Sequence, residues 1–446
     1  MASPSDHDTP EQRAALQHVE QAEKEAIKIP GIRDDIPLRP INRVAVIGAG
    51  TMGGGIAMNF ANAGIPVQIL ELKQEALDRG LGVIRKNYER TVSKGKLSQE
   101  DMDKRMALFT GTLSYDDLAE ADLVIEAVFE NMNIKKQVFE TLDKVCKPGA
   151  ILASNTSTLD VDEIASATAR PEDVIGLHFF SPANVMKLLE VVHGAKTADD
   201  VLATTLAMAR TIKKVPVVSG VCFGFIGNRM LEPYGREANR LLLEGATPAQ
   251  VDGVMTATGL AMGVLSMYDL AGIDVGYLVR ESRRDGFAQD PGYCRISDEL
   301  YHLGRYGQKT DRGFYVYDQR EKKEDPEVVT IASKLSDELG IPRRDISIDE
   351  IHDRCLYMLI NEGIHILDEG IALRSGDIDL VWIYGYGFPS WLGGPMHYAE
   401  QIGLDRILGG IEHYRDTLGD YGKLWFEPAP LLKRLVAESK TSIEKI

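Results

Sequence analysis

The sequence predicts a parallel-rich α/β domain followed by two tandem, duplicated all-α domains. Three observations carry that prediction. From Arg43 to Ser219, short apolar strands alternate with helical segments, the pattern of a sheet whose strands are joined by helices. After Ser219 the strand signals cease, and helical segments punctuated by glycine follow. Within that region "NRMLEPYGREANRLLLEG" (228–245) aligns without gaps to "DRCLYMLINEGIHILDEG" (353–370). Arg229 matches Arg354, Leu231 matches Leu356, Glu237 matches Glu362, and Glu244-Gly245 matches Glu369-Gly370. Two copies are too few for a solenoid and read as two helical domains in one chain. The expected boundaries are 1–42 for an N-terminal helix and linker, 43–219 for the α/β domain, 220–320 for the first helical copy, and 321–446 for a linker and the second copy.

Taken in order, residues 9–28 read as one exposed amphipathic helix. Thr9 can cap it, Pro10 suits its first position, and Gln12 completes a capping box. Its apolar stripe is narrow: Ala15, Leu16, Val19, Ala22 and Ala26. The prolines of "IPGIRDDIPLRP" then forbid further helix. The segment is either a solvated tail or a linker that docks to another domain. The strands are "RVAVIG", "IPVQILE", "ADLVIEAV", "AILASN", "VIGLHFF", "LLEVV" and "VPVVS". Thr247, Pro248 and Gln250 mark a helix start in the first helical copy, and "DQREKKEDPE" reads as a charged linker. The second copy opens with a Ser347-x-x-Glu350 capping box.

Composition narrows the function classes. The chain has 446 residues and a formal charge of −17, which repels a phosphate backbone at long range and argues against nucleic acid. Its four cysteines are far apart and form no CxxC pair. Neither a zinc site nor a disulfide framework is expected, and a reducing compartment fits. No apolar run approaches the ~18 residues of a membrane span, and the charged first 30 residues lack the apolar core of a signal peptide. A cytoplasmic protein without a metal is the expectation.

"GAGTMG" puts glycines at 48, 50 and 53, directly after an apolar strand and at the opening of a helix. Gly48 permits the tight turn, Gly50 lets a pyrophosphate approach the backbone, and Gly53 lets helix pack on strand. Thr51 and Met52 complete the turn at the helix N-terminus, whose N–H groups and dipole suit phosphates. Glu71 follows Gly53 by 18 residues and ends the second strand. A carboxylate there can accept from the ribose hydroxyls and repels a 2′-phosphate, which favours NAD over NADP. The α/β domain is therefore read as a Rossmann-type NAD-binding domain.

Ligands of such sheets collect outside the carboxyl ends of the strands. "SNTST" (154–158) follows one strand, and His178 lies near the end of "VIGLHFF". A lone histidine is ordinary, but Glu190 stands on the next apolar segment. A carboxylate there orients the ring and favours imidazolium, which suits a general base acting on a hydroxyl. Ser157 and Asn228 are the hydroxyl and amide candidates for holding a substrate oxygen.

Six ordered motifs, "VAVIGAGTMGGGIA", "VIEAVFEN", "SNTS", "LHFFSPANVMKLLEVV", "GFIGNRML" and "GRYGQKTDRGFYVYD", resemble the L-3-hydroxyacyl-CoA dehydrogenase family. The duplicated helical region and the "IPGI…DIPLRPINRVAVIG" lead-in are closest to the dehydrogenase half of multifunctional β-oxidation enzymes. Their N-terminal enoyl-CoA hydratase half is not expected here, with 42 residues before the first strand. The resemblance implies NAD-dependent oxidation of L-3-hydroxyacyl-CoA to 3-ketoacyl-CoA in fatty-acid β-oxidation. It implies His178 as base, Glu190 as its partner, and Ser157 and Asn228 at the substrate. It places Glu130, Lys135, Asn155, Ser157, Ser181 and Lys309 near the cofactor and Lys94 near coenzyme A. Ser181 stands where short-chain members carry asparagine, and Asp353 stands where the first helical copy has Asn228. The second copy is therefore expected to be structural. The rival readings are a dehydrogenase of a small non-CoA hydroxy acid and a noncatalytic NAD-binding or interaction subunit. A separate hydratase or thiolase is an expected partner, with residues 9–28 as a docking segment. Relatives with one helical domain pair through it, so the second copy predicts a monomer or an oligomer through other surfaces.

Overall fold

The structure is a computed structural model that describes residues 9–33, 35–319 and 321–444. Eight strands form one sheet: β1 (Val44–Ile47), β2 (Val67–Leu70), β3 (Phe109–Thr112), β4 (Leu123–Glu126), β5 (Ile151–Ser154), β6 (Val174–Phe179), β7 (Leu188–Val192) and β8 (Val215–Ser219). Their order is β3-β2-β1-β4-β5-β6-β7-β8. The first six follow the doubly wound dinucleotide-binding order, which reverses between β1 and β4. All neighbours run parallel except β6 and β7, which are antiparallel. Side chains alternate across the sheet, so Val44 and Val46 enter one apolar core and Ala45 and Ile47 the other.

Seven of the strands are those the sequence predicts. The eighth, β3, is "FTGT", short and half-exposed, and carries no apolar run. A two-stranded hairpin also occurs beyond Ser219, where no strand is expected: β9 (Tyr315–Asp318) pairs antiparallel with β10 (Glu321–Glu324). Every residue of β10 is exposed, so its charged sequence reads as a linker while its backbone is laddered to β9.

The chain divides into two compact units. Of the described residues, one unit holds those within 17–228 together with 369–385; the other holds 9–16, those within 229–368, and 386–444. Residues 369–385, expected in the second helical copy, thus cluster with the α/β unit.

Helix α1 (Pro10–Ala26) forms as predicted, and the Thr9/Gln12 capping box is made in both directions. Most of its stripe does not face solvent: Ala15, Val19, Ala22 and Ala26 are buried, whereas Leu16 is exposed. Within the α/β unit, α1 lies against the helix Ser375–Tyr386. His18 Nε2 meets Asp379 Oδ2 at 2.8 Å, Tyr384 donates to Glu23, and Ala22 sits beside Gly376. The chain itself thus covers most of this stripe, which leaves Leu16 and the polar faces of α1 exposed.

In the helical unit, the repeat is visible as geometry. The helices Gly227–Glu244 and Ile348–Asp368 carry the aligned segments. Arg229 of the first pairs with Glu362 of the second at 2.6 Å, and Arg354 of the second with Glu237 of the first at 3.1 Å. Further on, Gly272 (φ 104, ψ 117) and Gly403 (φ 102, ψ 124) adopt the same backbone, each followed by a helix with aspartate in its first turn. Among the described residues, no helix is long and apolar enough to cross a membrane.

Candidate active site

Helix α2 (Thr51–Asn62) begins directly after the glycine turn. Gly48 has φ 101, and a Cβ there would lie 2.8 Å from the Ala127 carbonyl oxygen, just beyond β4. A Cβ on Gly53 would lie 1.8 Å from the Gly48 oxygen, so only glycine lets α2 start this close to β1. A Cβ on Gly50 would meet nothing within 4 Å. The first and third glycines are thus required by the protein's own packing, whereas the space above Gly50 is open. No side chain caps α2, which leaves its first N–H groups without a side-chain acceptor. Thr51 and Met52 lie in this first turn, Thr51 exposed and Met52 partly covered. Glu71, at the end of β2, reaches back to the turn: its Oε1 accepts from Ala49 N–H at 3.0 Å and its Oε2 from Leu72 N–H at 3.0 Å. Open backbone, an uncapped helix start and a carboxylate beside them fit a dinucleotide.

β6 and β7 place His178 directly opposite Glu190 in their register. The Nδ1 and Oε2 atoms are 2.6 Å apart. Glu190 is fully buried and His178 nearly so, with the rings of Phe180 and Phe225 at 4.4 and 5.9 Å. The other carboxylate oxygen, Oε1, accepts from the N–H groups of Ile226 and Gly227 at 3.1 and 3.0 Å. Those donors lie at the start of the helix that bears Asn228. Glu190 is therefore held by backbone on one side and holds the imidazole on the other. With Nδ1–H directed at the carboxylate, Nε2 carries the lone pair.

The loop after β5 is bound by a second carboxylate. Glu130 Oε1 accepts from Thr156 Oγ1 (2.6 Å), Ser157 N (2.8 Å), Thr158 N (3.1 Å) and Ser157 Oγ (3.3 Å). Burial opposes ionisation of Glu130, but the Lys135 ammonium and these donors outweigh it and hold its carboxyl below the usual value. Asn228 Nδ2 donates to the Ser157 carbonyl at 3.3 Å, and Asn155 Oδ1 accepts from Phe179 N–H at 2.9 Å. Ser157, Asn228 and Asn155 are thus brought together with the end of the His178 strand.

Some expected residues are placed differently. Lys135 is buried (1% exposed), and its ammonium lies between Glu126 at 2.7 Å and Glu130 at 3.4 Å. The ammonium is enclosed by the two carboxylates and supports Glu130. Glu126, which sequence reading missed, also accepts from Ser154 Oγ at 2.7 Å and Val128 N–H at 2.7 Å. Its signal was available, since an acid closes the apolar strand "LVIE" as Glu71 closes "IPVQILE". Lys309 belongs to the helical unit, where it pairs with Asp274 at 2.5 Å. Lys94 is exposed at the C-terminal cap of α3 (Gln74–Ser93), and Ser181 is exposed in the turn after β6.

The family profile described as 3-hydroxyacyl-CoA dehydrogenase, NAD binding domain, matches residues 43–222. The profile of that family's C-terminal domain matches 224–317 and 351–445. The peroxisomal bifunctional enzyme of Danio rerio is 45% identical over 421 residues, covering 91% of this chain and 58% of its own length. The chain thus spans less than two thirds of that curated relative. Among solved structures, 3-hydroxybutyryl-CoA dehydrogenase from Escherichia coli superposes with a TM-score of 0.78 at 30% identity, covering 90% of this chain and 99% of its own. The dehydrogenase part of multifunctional enzyme 1 from C. elegans gives 0.66 at 30% identity, covering 96% and 99%.

Proposed function

The chain belongs to the 3-hydroxyacyl-CoA dehydrogenase family of NAD-dependent oxidoreductases, and on that premise we propose that His178 and Glu190 carry out the family's oxidation of an L-3-hydroxyacyl-CoA to the 3-ketoacyl-CoA. The observation that carries this reading is the buried 2.6 Å cross-strand contact of His178 with Glu190. Bound NAD supplies the hydride acceptor. Gly48, Gly50, Thr51, Met52 and Gly53 would hold its pyrophosphate, and Glu71 its adenosine ribose. His178 Nε2 takes the proton of the substrate hydroxyl, and Glu190 stabilises the imidazolium that results. The buried carboxylate matters because the surrounding apolar strands screen it poorly. Ser157 and Asn228 hold the substrate oxygen, and Glu130, supported by Lys135 and Glu126, holds the loop that carries Ser157.

The test is His178→Gln, assayed by NADH formation with an L-3-hydroxyacyl-CoA series. Turnover should fall by roughly 10²–10⁴-fold, the share a positioned general base supplies. NADH affinity should be unchanged, since the ring is not part of the dinucleotide cradle. Survival of turnover in the folded variant would remove His178 from its role.

For the compartment, none of the four cysteines is joined in a disulfide among the described residues, which fits a reducing aqueous environment. The expectation from composition is cytoplasmic, whereas the Danio rerio relative is named as peroxisomal. Both compartments share that chemistry, and imaging of the full-length tagged protein distinguishes them. Interaction with a separate hydratase or thiolase would have to use a surface other than the buried stripe of α1.

A further inference from the structure

Lys214 has no part in the chemistry above, yet its environment is unusual. It sits in the bend that leads into β8 and is 7% exposed. Among the described residues its ammonium meets no carboxylate. Instead Nζ donates to the carbonyl of Ala183 at 2.6 Å and to that of Met186 at 2.6 Å. Both carbonyls lie in "SPANVM", the turn that joins the His178 strand to the Glu190 strand. Its sequence neighbour Lys213, and Lys187 next to Met186, are exposed.

The same turn is also held by α2. Asn59, itself buried, donates to the Ala183 carbonyl at 3.0 Å and to the Gly55 carbonyl of its own helix at 3.0 Å. Ala183 is 1% exposed, and a Cβ on Gly55 would lie 3.1 Å from the Ala183 Cβ. Turn and helix are therefore in close approach. Helix α2 is the element whose N-terminus forms the glycine cradle.

Stability alone does not explain a lysine here. Burial by itself lowers its pKa to about 8, and no anion compensates. A methionine of similar length would fill the space without that penalty. What the ammonium adds is two short, charge-assisted bonds to carbonyls of one turn.

We propose that Lys214 is a positioning residue for the oxidation: through the Ala183 and Met186 carbonyls it locks the β6–β7 turn against α2, and so sets the separation between the His178 base and the dinucleotide cradle. The inference rests on the reading of His178 and the glycine turn given above. It moves no proton and touches no substrate. It acts only on geometry, where a displacement of about 1 Å costs on the order of 10²-fold in rate.

The experiment compares wild type, Lys214→Met, Asn59→Ala and the double variant, all in the full chain. NADH formation from an L-3-hydroxyacyl-CoA, NADH binding by fluorescence, and the thermal midpoint are measured for each. Lys214→Met should leave the midpoint near wild type, the lost desolvation penalty offsetting the lost donor to the Met186 carbonyl, keep NADH affinity and KM, and lose about 10–10²-fold in kcat. Because Asn59 and Lys214 hold the same carbonyl, their losses in kcat should combine to less than their product. Wild-type kcat in folded Lys214→Met overturns the proposal, as do losses that multiply in the double variant. Should Lys214→Met fail to fold, Asn59→Ala decides alone: reduced kcat with retained NADH affinity supports the proposal, and wild-type kcat overturns it. Absence of NADH formation by the wild type would instead sink the functional reading on which the proposal rests.

Discussion

At the residue scale, Glu190 shows why one buried carboxylate can be both structural and chemical. Its Oε1 ties down the Ile226 and Gly227 amides, and its Oε2 faces His178. Glu190→Gln keeps the shape but removes the charge, and its NH2 must face a donor on one side or the other. Turnover should fall by roughly 10²–10⁴-fold, and the thermal midpoint should also drop because a buried donor loses its acceptor. A variant with full turnover would show that the imidazolium needs no counter-charge. Glu130 sets a pH signature of another kind. Its carboxyl is held below its ordinary value of 4.5 in the folded chain. The stabilisation it contributes is therefore present above that value and is lost as pH falls through the lower folded value. The gap in thermal midpoint between wild type and Glu130→Gln should be full near neutrality and shrink below pH 4.5. A gap independent of pH would mean that the loop is held by the hydroxyl and amide geometry rather than by the charge.

At the scale of elements, the glycine turn separates folding from binding. Gly53→Ala places a methyl 1.8 Å from the Gly48 oxygen, so α2 must leave β1 and the domain should lose stability. Gly50→Ala meets nothing within 4 Å; its midpoint should stay near wild type while NADH affinity falls, because the methyl occupies the approach of the pyrophosphate. Calorimetry and NADH titration check both, and equal behaviour of the two variants would refute the division of labour. This motif could be read from sequence because its residues are local. The same holds for β6 and β7, where two ionisable groups interrupt apolar runs and turn out to face each other. Three other features could not be read. The strand "FTGT" pairs along the edge of the sheet with only Thr112 buried. β10 is charged and exposed throughout. The stripe of α1 consists mostly of alanines, and the helix that covers it begins only at Ser375. Lys214 was hidden for a similar reason: "KK" before a strand looks like surface charge, and only the fold turns one of the two inward.

At the scale of the whole molecule, the duplication makes an internal two-fold. Alongside pairs within each copy, two aligned arginines and glutamates exchange between the copies, Arg229 with Glu362 and Arg354 with Glu237. Residue i of one copy meeting j of the other, and j meeting i, is the signature of an isologous interface. Here both halves lie in one chain, so the surface through which two single-copy chains could associate is already occupied. A monomer, or an oligomer through other surfaces, is the expected state in light scattering, and a dimer held through residues 220–320 would refute it. The two pairs are not equivalent in energy. Arg229 and Glu362 are partly exposed, whereas Arg354 is fully buried between Glu237 and Glu244, with Glu244 at 2.6 Å. Arg354→Met removes the fully buried arginine shared by two buried carboxylates, leaving Glu237 with Arg236 and Glu244 with Arg240, and should cost about 3 kcal/mol. Arg229→Met, at the more solvated pair, should cost about 1 kcal/mol or less. Denaturant unfolding of the two variants measures the difference directly. Equal costs would show that the interface is held by its apolar packing, and that the exchanged arginines only record the symmetry.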